Sequence, residues 1–391
     1  MPANKYELAS VTWDELEVAA MQDVISSGMY TMGRHVKEFE TQFARHFDAK
    51  YAVMSNSGSS ANLLALAAMR YKRWDSDSNR DEVVVPAVSW STTYYPVHQM
   101  GYRLKFVDVD LDTLNASYES IVDAVNEKTA GIVAVNLLGN PSELDRLREF
   151  ADSHALFLIE DNCESMGAVL EERFAGTYGH IGTFSTYFSH HISTMEGGVC
   201  LTDDLELFQI MTSLRAHGWI RELPVENTIW NKTGRLFEDQ FKFVLPGYNL
   251  RPIELAGAIG KEQLKKLDSF VYQRRVNAHL FLEEMGAIEG FKFQTETGSS
   301  SWFGFSIILV GIHEGKRERL VDLLSDANIE CRPIVAGNFK ANPVMKYLNH
   351  VELSDYVNAD YVHRNGLFVG NHHYEMGLQI ARLKEVLLSL R

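Results

Sequence analysis

The sequence predicts an α/β fold, with a mixed, mostly parallel sheet in a large N-terminal domain and a smaller α+β domain at the C-terminal end. Short apolar runs at residues 82–87, 103–108, 131–136 and 155–160 are typical of buried parallel strands, and helical segments separate them. This alternation predicts a doubly wound sheet with helices on both faces. A chain of 391 residues is long enough for two domains, which we place at 1–255 and 256–391.

The composition narrows the class of protein. Hydrophobic residues make up 46% of the chain and charged residues 23%, which is ordinary for a globular protein. The net charge of −15 argues against a nucleic-acid surface, which needs clustered lysine and arginine. Three scattered cysteines are too few for a disulfide framework or a four-thiolate metal site, and no signal peptide or membrane span is visible. We therefore expect a cytoplasmic protein without a metal.

The N-terminal part predicts an arm followed by an anion site. The arm, with a helix at 13–26, ends in a turn at 31–33 that enters an amphipathic helix over 36–47. A strand at 51–54 then reaches a turn at Gly58, and Ser59 opens a helix rich in alanine and leucine. Backbone amides and hydroxyls at such a helix start form an anion site, although the serines could also be a plain N-cap.

Polar residues at the ends of two strands indicate the chemistry. The strand at 155–159 runs into Asp161, and about twenty residues later a second strand ends in the polar run GTFSTYFSHHISTMEGG at 182–198. This layout is typical of a pyridoxal-phosphate site, in which Asp161 would hold the pyridine nitrogen protonated and Ser185 would bind the phosphate. A lysine should follow to carry the cofactor as a Schiff base, yet none occurs between Lys128 and Lys232.

Four motifs together resemble a known family. IEDNCES at 159–165, FS at 184–185, EGG at 196–198 and GYNLRPIELAGAIG at 247–260 are similar to the DegT/DnrJ/EryC1/StrS sugar aminotransferases. The resemblance runs from about Tyr30 to the C-terminus and implies the fold type I, aspartate-aminotransferase-like architecture. In that family a lysine lies six residues before the glutamate of EGG, and His190 occupies this position here. The chain therefore resembles the lysine-less dehydratase branch.

The resemblance also implies roles for individual residues. Glu164 stands where aminotransferases of the family usually have a glutamine beside the cofactor hydroxyl, and Asn249 would reach the cofactor phosphate of a neighbouring subunit, which predicts a homodimer with shared active sites. The implied cofactor-binding residues are Gly58, Ser59, Trp90, Asp161, Glu164, Ser185 and Asn249. The implied substrate-binding residues are Thr31, Met32, His217 and Trp219. Glu330 and Arg332 are added as polar groups at strand or loop ends that should face the cleft.

Most of these positions have a purely structural alternative. Trp90 would stack on the pyridine ring, but it could be a partly buried core residue. The turn at 31–33 could simply start a helix, and His217 and Trp219 could follow a capped helix end. Glu330 and Arg332 could belong to solvated loops.

The implied reaction uses pyridoxal 5′-phosphate and pyridoxamine 5′-phosphate held without a covalent bond. By resemblance the enzyme is a 3-dehydratase that removes the C3 hydroxyl of a nucleotide-linked 4-keto-6-deoxy sugar, GDP-4-keto-6-deoxy-D-mannose in the branch that it resembles. L-Glutamate would re-aminate the cofactor and ammonia would be released. A neutral imidazole suits the proton transfers, with His190 as the base and His191 as the alternative.

Two other functions stay open from the sequence. One is an ordinary nucleotide-sugar 4-aminotransferase, which the missing lysine disfavours. The other is a non-catalytic relative, which the retention of the cofactor-site residues disfavours. A further lysine-less branch uses an iron–sulfur cluster, and three dispersed cysteines do not fit that branch.

Overall fold

The computed structural model describes residues 5–72, 79–352 and 354–390. Its main sheet has seven strands in the order β1-β9-β8-β5-β4-β2-β3. The pairs from β8 to β3 are parallel, whereas β9 runs antiparallel to both β8 and β1, so the sheet is mixed and mostly parallel as predicted. The strands of the chain are β1 Tyr51–Ser55, β2 Glu82–Pro86, β3 Arg103–Val107, β4 Thr129–Val135, β5 Phe157–Asp161, β6 Val169–Leu170, β7 Arg173–Phe174, β8 Ile181–Ser185, β9 Gly198–Thr202, β10 Phe291–Lys292, β11 Gly304–Leu309, β12 Cys331–Arg332 and β13 Gly366–Gly370.

Helices cover both faces of this sheet because its strands are apolar on both sides. Val83 of β2 packs in one cluster with α3, and the next residue, Val84, packs in another cluster with α6. The helices are α1 Glu15–Ser27, α2 Arg34–His46, α3 Gly58–Tyr71, α4 Ser91–Gln99, α5 Tyr118–Ala124, α6 Leu144–Ser153, α7 Leu205–Arg215, α8 Leu236–Asp239, α9 Glu254–Leu264, α10 Leu267–Met285, α11 Arg317–Asp326, α12 Val357–Asn365 and α13 Gly377–Ser389. Within the described ranges, no helix is both long and apolar enough to cross a membrane.

The sequence pattern also predicts one long helix over 259–285, and the structure shows that this prediction is wrong. The segment forms two helices, α9 and α10, which meet at Lys265 and Lys266. At the end of α9 the buried amide of Gln263 bonds Thr12 through its oxygen (2.6 Å) and Glu17 through its nitrogen (2.8 Å). These contacts with the N-terminal arm fix the end of α9, and the periodicity of the sequence does not reveal them.

A second sheet, in the order β10-β11-β13-β12, lies in the C-terminal part of the chain. The sequence predicts β11, β12 and α11, but it misses β10, β13 and α12. The N-terminal segment joins this sheet, because Tyr6 forms a parallel bridge with Ile329 and its hydroxyl donates to the Gly370 carbonyl at 2.6 Å. The division at 255/256 stays a prediction.

Candidate active site

A cavity of about 590 Å³ opens at the carboxyl ends of β4, β5 and β8. Parallel α/β sheets bind ligands at this edge. The start of α3, the turn after β2 and the N-terminal segment complete its wall. It brings together most of the predicted site residues: Gly58, Ser59, Trp90, Asp161, Glu164, Ser185, His190, Glu330 and Arg332.

The start of α3 and the end of β8 form a cradle whose shape fits an anion. A Cβ atom on Gly58 would lie 2.6 Å from Ser185 Cβ and 2.9 Å from Ser185 Oγ, so only glycine allows this approach. The N-cap is Ser57, whose hydroxyl accepts from the Ser60 amide at 3.1 Å. The first amides of this 14-residue helix and the Ser185 hydroxyl therefore converge on one side of the cavity, and this arrangement fits a phosphate group.

Asp161 is fixed in place by side chains that the sequence did not single out. Its Oδ2 atom accepts from Asn62 Nδ2 at 2.9 Å and from Thr93 Oγ1 at 2.8 Å, and its Oδ1 atom accepts from the Cys163 amide at 3.2 Å. The carboxylate is buried at the cavity wall. A fixed carboxylate fits a protonated ring nitrogen. Asn62 was detectable as a polar residue inside an apolar helix.

Glu164 and Trp90 line the same cavity as this carboxylate. Enclosure by protein raises the pKa of Glu164 to about 7, the Leu138 amide opposes the shift with a 3.0 Å bond, and Asp161 adds to it. Glu164 thus holds a proton in a large fraction of molecules at neutral pH. Trp90 is 56% exposed to the cavity, so the alternative of a core tryptophan is wrong.

The two adjacent histidines have different surroundings. His190 lines the cavity, and its Nδ1 atom is buried without a hydrogen-bond partner. Burial, and to a smaller extent the nearby Arg274 cation, lower the pKa of His190 to about 4. His191 is fully buried outside the cavity wall, where its Nε2–H group donates to the Ser301 carbonyl at 3.0 Å. Among the described lining residues there is no lysine.

The other predicted residues do not reach the cavity of their own chain. Thr31 pairs with Ile253, and Met32 lies outside the cavity. Asn249 is exposed and accepts from Arg251 Nε at 3.0 Å. His217 and Trp219 stack edge to face at 5.1 Å, with the guanidinium of Arg221 3.8 Å from the Trp219 ring.

The structure adds lining residues that sequence reasoning missed. Glu7, Leu8 and Ala9 of the N-terminal segment form part of the wall, held there by the 2.9 Å bond from the Leu8 amide to Glu330 Oε2. Lys5 Nζ lies 2.6 Å from the same carboxylate. No pattern in the sequence indicates these long-range contacts. The apolar side of the cavity includes Phe188, Phe303 and Phe368.

Comparison with known proteins places these features in a family. The model of the DegT/DnrJ/EryC1/StrS aminotransferase family matches residues 12–387. The chain belongs to this family. Similar members include GDP-4-keto-6-deoxy-D-mannose 3-dehydratase of Escherichia coli O55:H7 (strain CB9615 / EPEC), which is 52% identical over 98% of this chain and 99% of that protein.

Solved structures of DegT/DnrJ/EryC1/StrS relatives share the fold. A GDP-4-keto-6-deoxymannose-3-dehydratase with a trapped PLP–glutamate geminal diamine is 52% identical, with a TM-score of 0.95 over 98% of this chain and 100% of that chain. A His-to-Asn mutant of such an enzyme with bound GDP-perosamine is 51% identical, with a TM-score of 0.93 over 98% of this chain and 100% of that chain. The predicted fold class and family are confirmed.

Proposed function

We propose that this protein is a pyridoxal-phosphate-dependent 3-dehydratase that removes the C3 hydroxyl of GDP-4-keto-6-deoxy-D-mannose and yields the 4-keto-3,6-dideoxy sugar. One observation carries the proposal: a histidine, and no described lysine, lines a cavity that otherwise fits the cofactor of the family. The 52% identity with a dehydratase of this name, over nearly the full length of both chains, supports the substrate.

The residues present fit the cofactor. Gly58, Ser59 and Ser185 would hold its phosphate, Asp161 its ring nitrogen and Trp90 its ring face. Glu164 would lie beside its hydroxyl, where the protonated carboxyl can donate a hydrogen bond as a glutamine amide does. When bound, the cofactor supplies an amine that condenses with the sugar ketone and a ring that accepts electrons.

His190 would move the proton. Its lowered pKa keeps the imidazole neutral at pH 7, so it can take a proton at C4′ of the cofactor and pass it to the C3 hydroxyl as this leaves as water. Buried His191, with its Nε2–H group already bonded to Ser301, is the weaker candidate. Because no lysine is among the described residues that line the cavity, the cofactor would stay free to act as the reagent.

We infer that L-glutamate restores the amine and that a second copy of the chain completes each site. Arg332 is the only lysine or arginine among the described lining residues, so it is our candidate for a carboxylate or phosphate of a substrate. A nucleotide diphosphate needs more positive charge than one arginine.

Arg221 and Arg251, which lie beside Trp219, could supply this charge from the partner subunit. Thr31, Met32, His217 and Asn249 could reach the site from the partner in the same way. We place the reaction in the cytoplasm.

The test is incubation of the cofactor-loaded protein with GDP-4-keto-6-deoxy-D-mannose and L-glutamate. We expect the 3-deoxy sugar, ammonia and 2-oxoglutarate in equal amounts, measured by mass spectrometry and enzymatic assays. A sugar product that keeps the amino nitrogen would establish the aminotransferase function instead. Matched incubations with CDP- and dTDP-linked sugars test the choice of nucleotide.

A further inference from the structure

Arg274 is a buried cation bonded to backbone carbonyls. It lies in α10, and its Nη1 atom donates to the carbonyls of Asn371 (2.6 Å) and Phe303 (3.1 Å). In the described part of the chain no carboxylate pairs with it, and its Nε atom is buried without a partner. Burial of an arginine costs free energy when only backbone carbonyls offset the loss of water. We therefore looked for a function of this side chain.

One partner of Arg274, Phe303, lies close to the two histidines. The Phe303 ring, which lines the cavity, is 5.3 Å from the His190 ring and 5.8 Å from the His191 ring. Trp302 precedes Phe303 in the chain, and its backbone is held in the left-handed region at φ +47°, which is strained for a tryptophan. Asn371 Nδ2 also donates to the Trp302 carbonyl, at 2.9 Å. Arg274 therefore fixes the segment 301–303 against the catalytic side of the cavity.

Other charges near His190 face it from different directions. The cavity wall carries the acidic residues Glu7, Asp161, Glu164, Glu196 and Glu330 and the cation Arg332. His191 follows His190 on the same segment. From α10, Arg275 turns to the Ser300 carbonyl (2.9 Å) and the Gly167 carbonyl (3.1 Å). Of all these groups, Arg274 is the charge that lowers the pKa of His190, after burial itself.

We propose that Arg274 is a positioning residue for the dehydration: its guanidinium holds the segment 301–303 against His190 and places a fixed positive charge near that imidazole. This role rests on the proposed function of His190. Two substitutions can separate the effect of the charge from the effect of the hydrogen bonds to the carbonyls. Arg274→Lys keeps the positive charge and loses part of the hydrogen bonding, whereas Arg274→Gln loses the charge.

The test is the pH dependence of His190 acylation by diethyl pyrocarbonate, which reacts with neutral imidazole. The cofactor-loaded full chain is treated across a pH series, and peptide mass spectrometry follows His190, with the exposed His279 as the internal reference. We expect the half-reactivity pH of His190 to lie well below 6.5 in the unchanged protein. In Arg274→Gln it should rise by about one unit, and in Arg274→Lys it should stay low.

Arg275→Gln is the matched control, since this neighbouring arginine bonds the adjacent carbonyls and should leave the His190 profile unchanged. An unshifted profile in Arg274→Gln, or an equal shift in Arg275→Gln, overturns the proposal. If Arg274→Gln does not fold, the unchanged protein and Arg274→Lys decide, and a half-reactivity pH at or above 6.5 in the unchanged protein is contrary evidence. Acylation does not require turnover, so a failed dehydratase assay remains a separate result.

The activity readout separates the two parts of the role. In Arg274→Gln the acid limb of the kcat profile should move to higher pH in step with the acylation midpoint. In Arg274→Lys kcat should fall while the limb stays in place, because only the positioning of segment 301–303 is weakened. A purely structural role would lower kcat at every pH without moving the limb.

Discussion

Replacement of Glu164 by glutamine should change how the stability of the cofactor-free protein depends on pH. The pKa of this carboxyl is about 7 in the folded protein and 4.5 without the fold. A raised pKa means that the folded state favours the protonated form, so stability is full below pH 4.5 and is lost as pH rises toward 7. Glutamine cannot ionise, so Glu164→Gln should escape this loss.

The size of the effect follows from the shift. The difference between 7 and 4.5 corresponds to about 3 kcal/mol as an upper limit. Water in the open cavity weakens the desolvation of Glu164, so we expect the variant to gain about 1 to 3 kcal/mol over the unchanged protein between about pH 5 and pH 8. Most of this increase in the stability difference should occur below pH 7.

The assay is urea unfolding of both cofactor-free proteins at several pH values, compared through the difference in their midpoints. Glu330→Gln serves as a control of opposite sign, because the bond to Lys5 lowers the pKa of Glu330. Glu330→Gln should be less stable than the unchanged protein once the pH rises past the ordinary carboxyl pKa, and this difference should vanish in acid. A difference between Glu164→Gln and the unchanged protein that is constant or shrinks with rising pH would refute the assignment of a protonated Glu164.

Three further predictions concern the cofactor and the base. Borohydride treatment of the loaded protein should leave no cofactor attached, as checked by peptide mass spectrometry; a reduced lysine adduct would contradict the proposal. His190→Lys should gain a visible absorbance that borohydride bleaches and should lower dehydration by at least about 10²-fold; near-normal dehydration, together with its loss in His191→Asn, would move the base to His191. Gly58→Ala should weaken cofactor binding measured by equilibrium dialysis, because the new Cβ would meet Ser185 at 2.6 Å. Gly377→Ala, with only Leu280 nearby at 3.9 Å, is its control, and equal binding in both would argue against the cradle.

The sequence predicts the sheet and the strand-end site because both depend on local patterns. Asp161 and Ser185 follow apolar strands, and the carboxyl ends of neighbouring parallel strands necessarily meet. By contrast, the Asp161 ligands Asn62 and Thr93 come from two other helices, so only tertiary packing brings them together. The break between α9 and α10 depends on Thr12 in the same way.

The sequence also could not predict the protonation state of the Glu164 carboxyl. A glutamate at position 164, where the family usually has a glutamine, predicts an anion beside the cofactor, but enclosure by protein and the neighbouring Asp161 raise the pKa of Glu164 to about 7. The enclosure of a side chain and its distance from another charge depend on the tertiary structure, and no residue pattern encodes them. The roles of Asn249, His217 and Trp219 stay predictions, since they do not reach the cavity of their own chain.

The rim of the cavity joins the two ends of the chain, and this has a consequence for biosynthesis. Tyr6 needs the Gly370 carbonyl, and Leu8 needs the Glu330 carboxylate. On the ribosome the strands with Asp161 and Ser185 emerge long before those partners, since chains grow from the N-terminus. We therefore expect the contact between Gly58 and Ser185 to become possible earlier than the contacts of Tyr6 and Leu8. A chain that stops before residue 370 would leave that rim open.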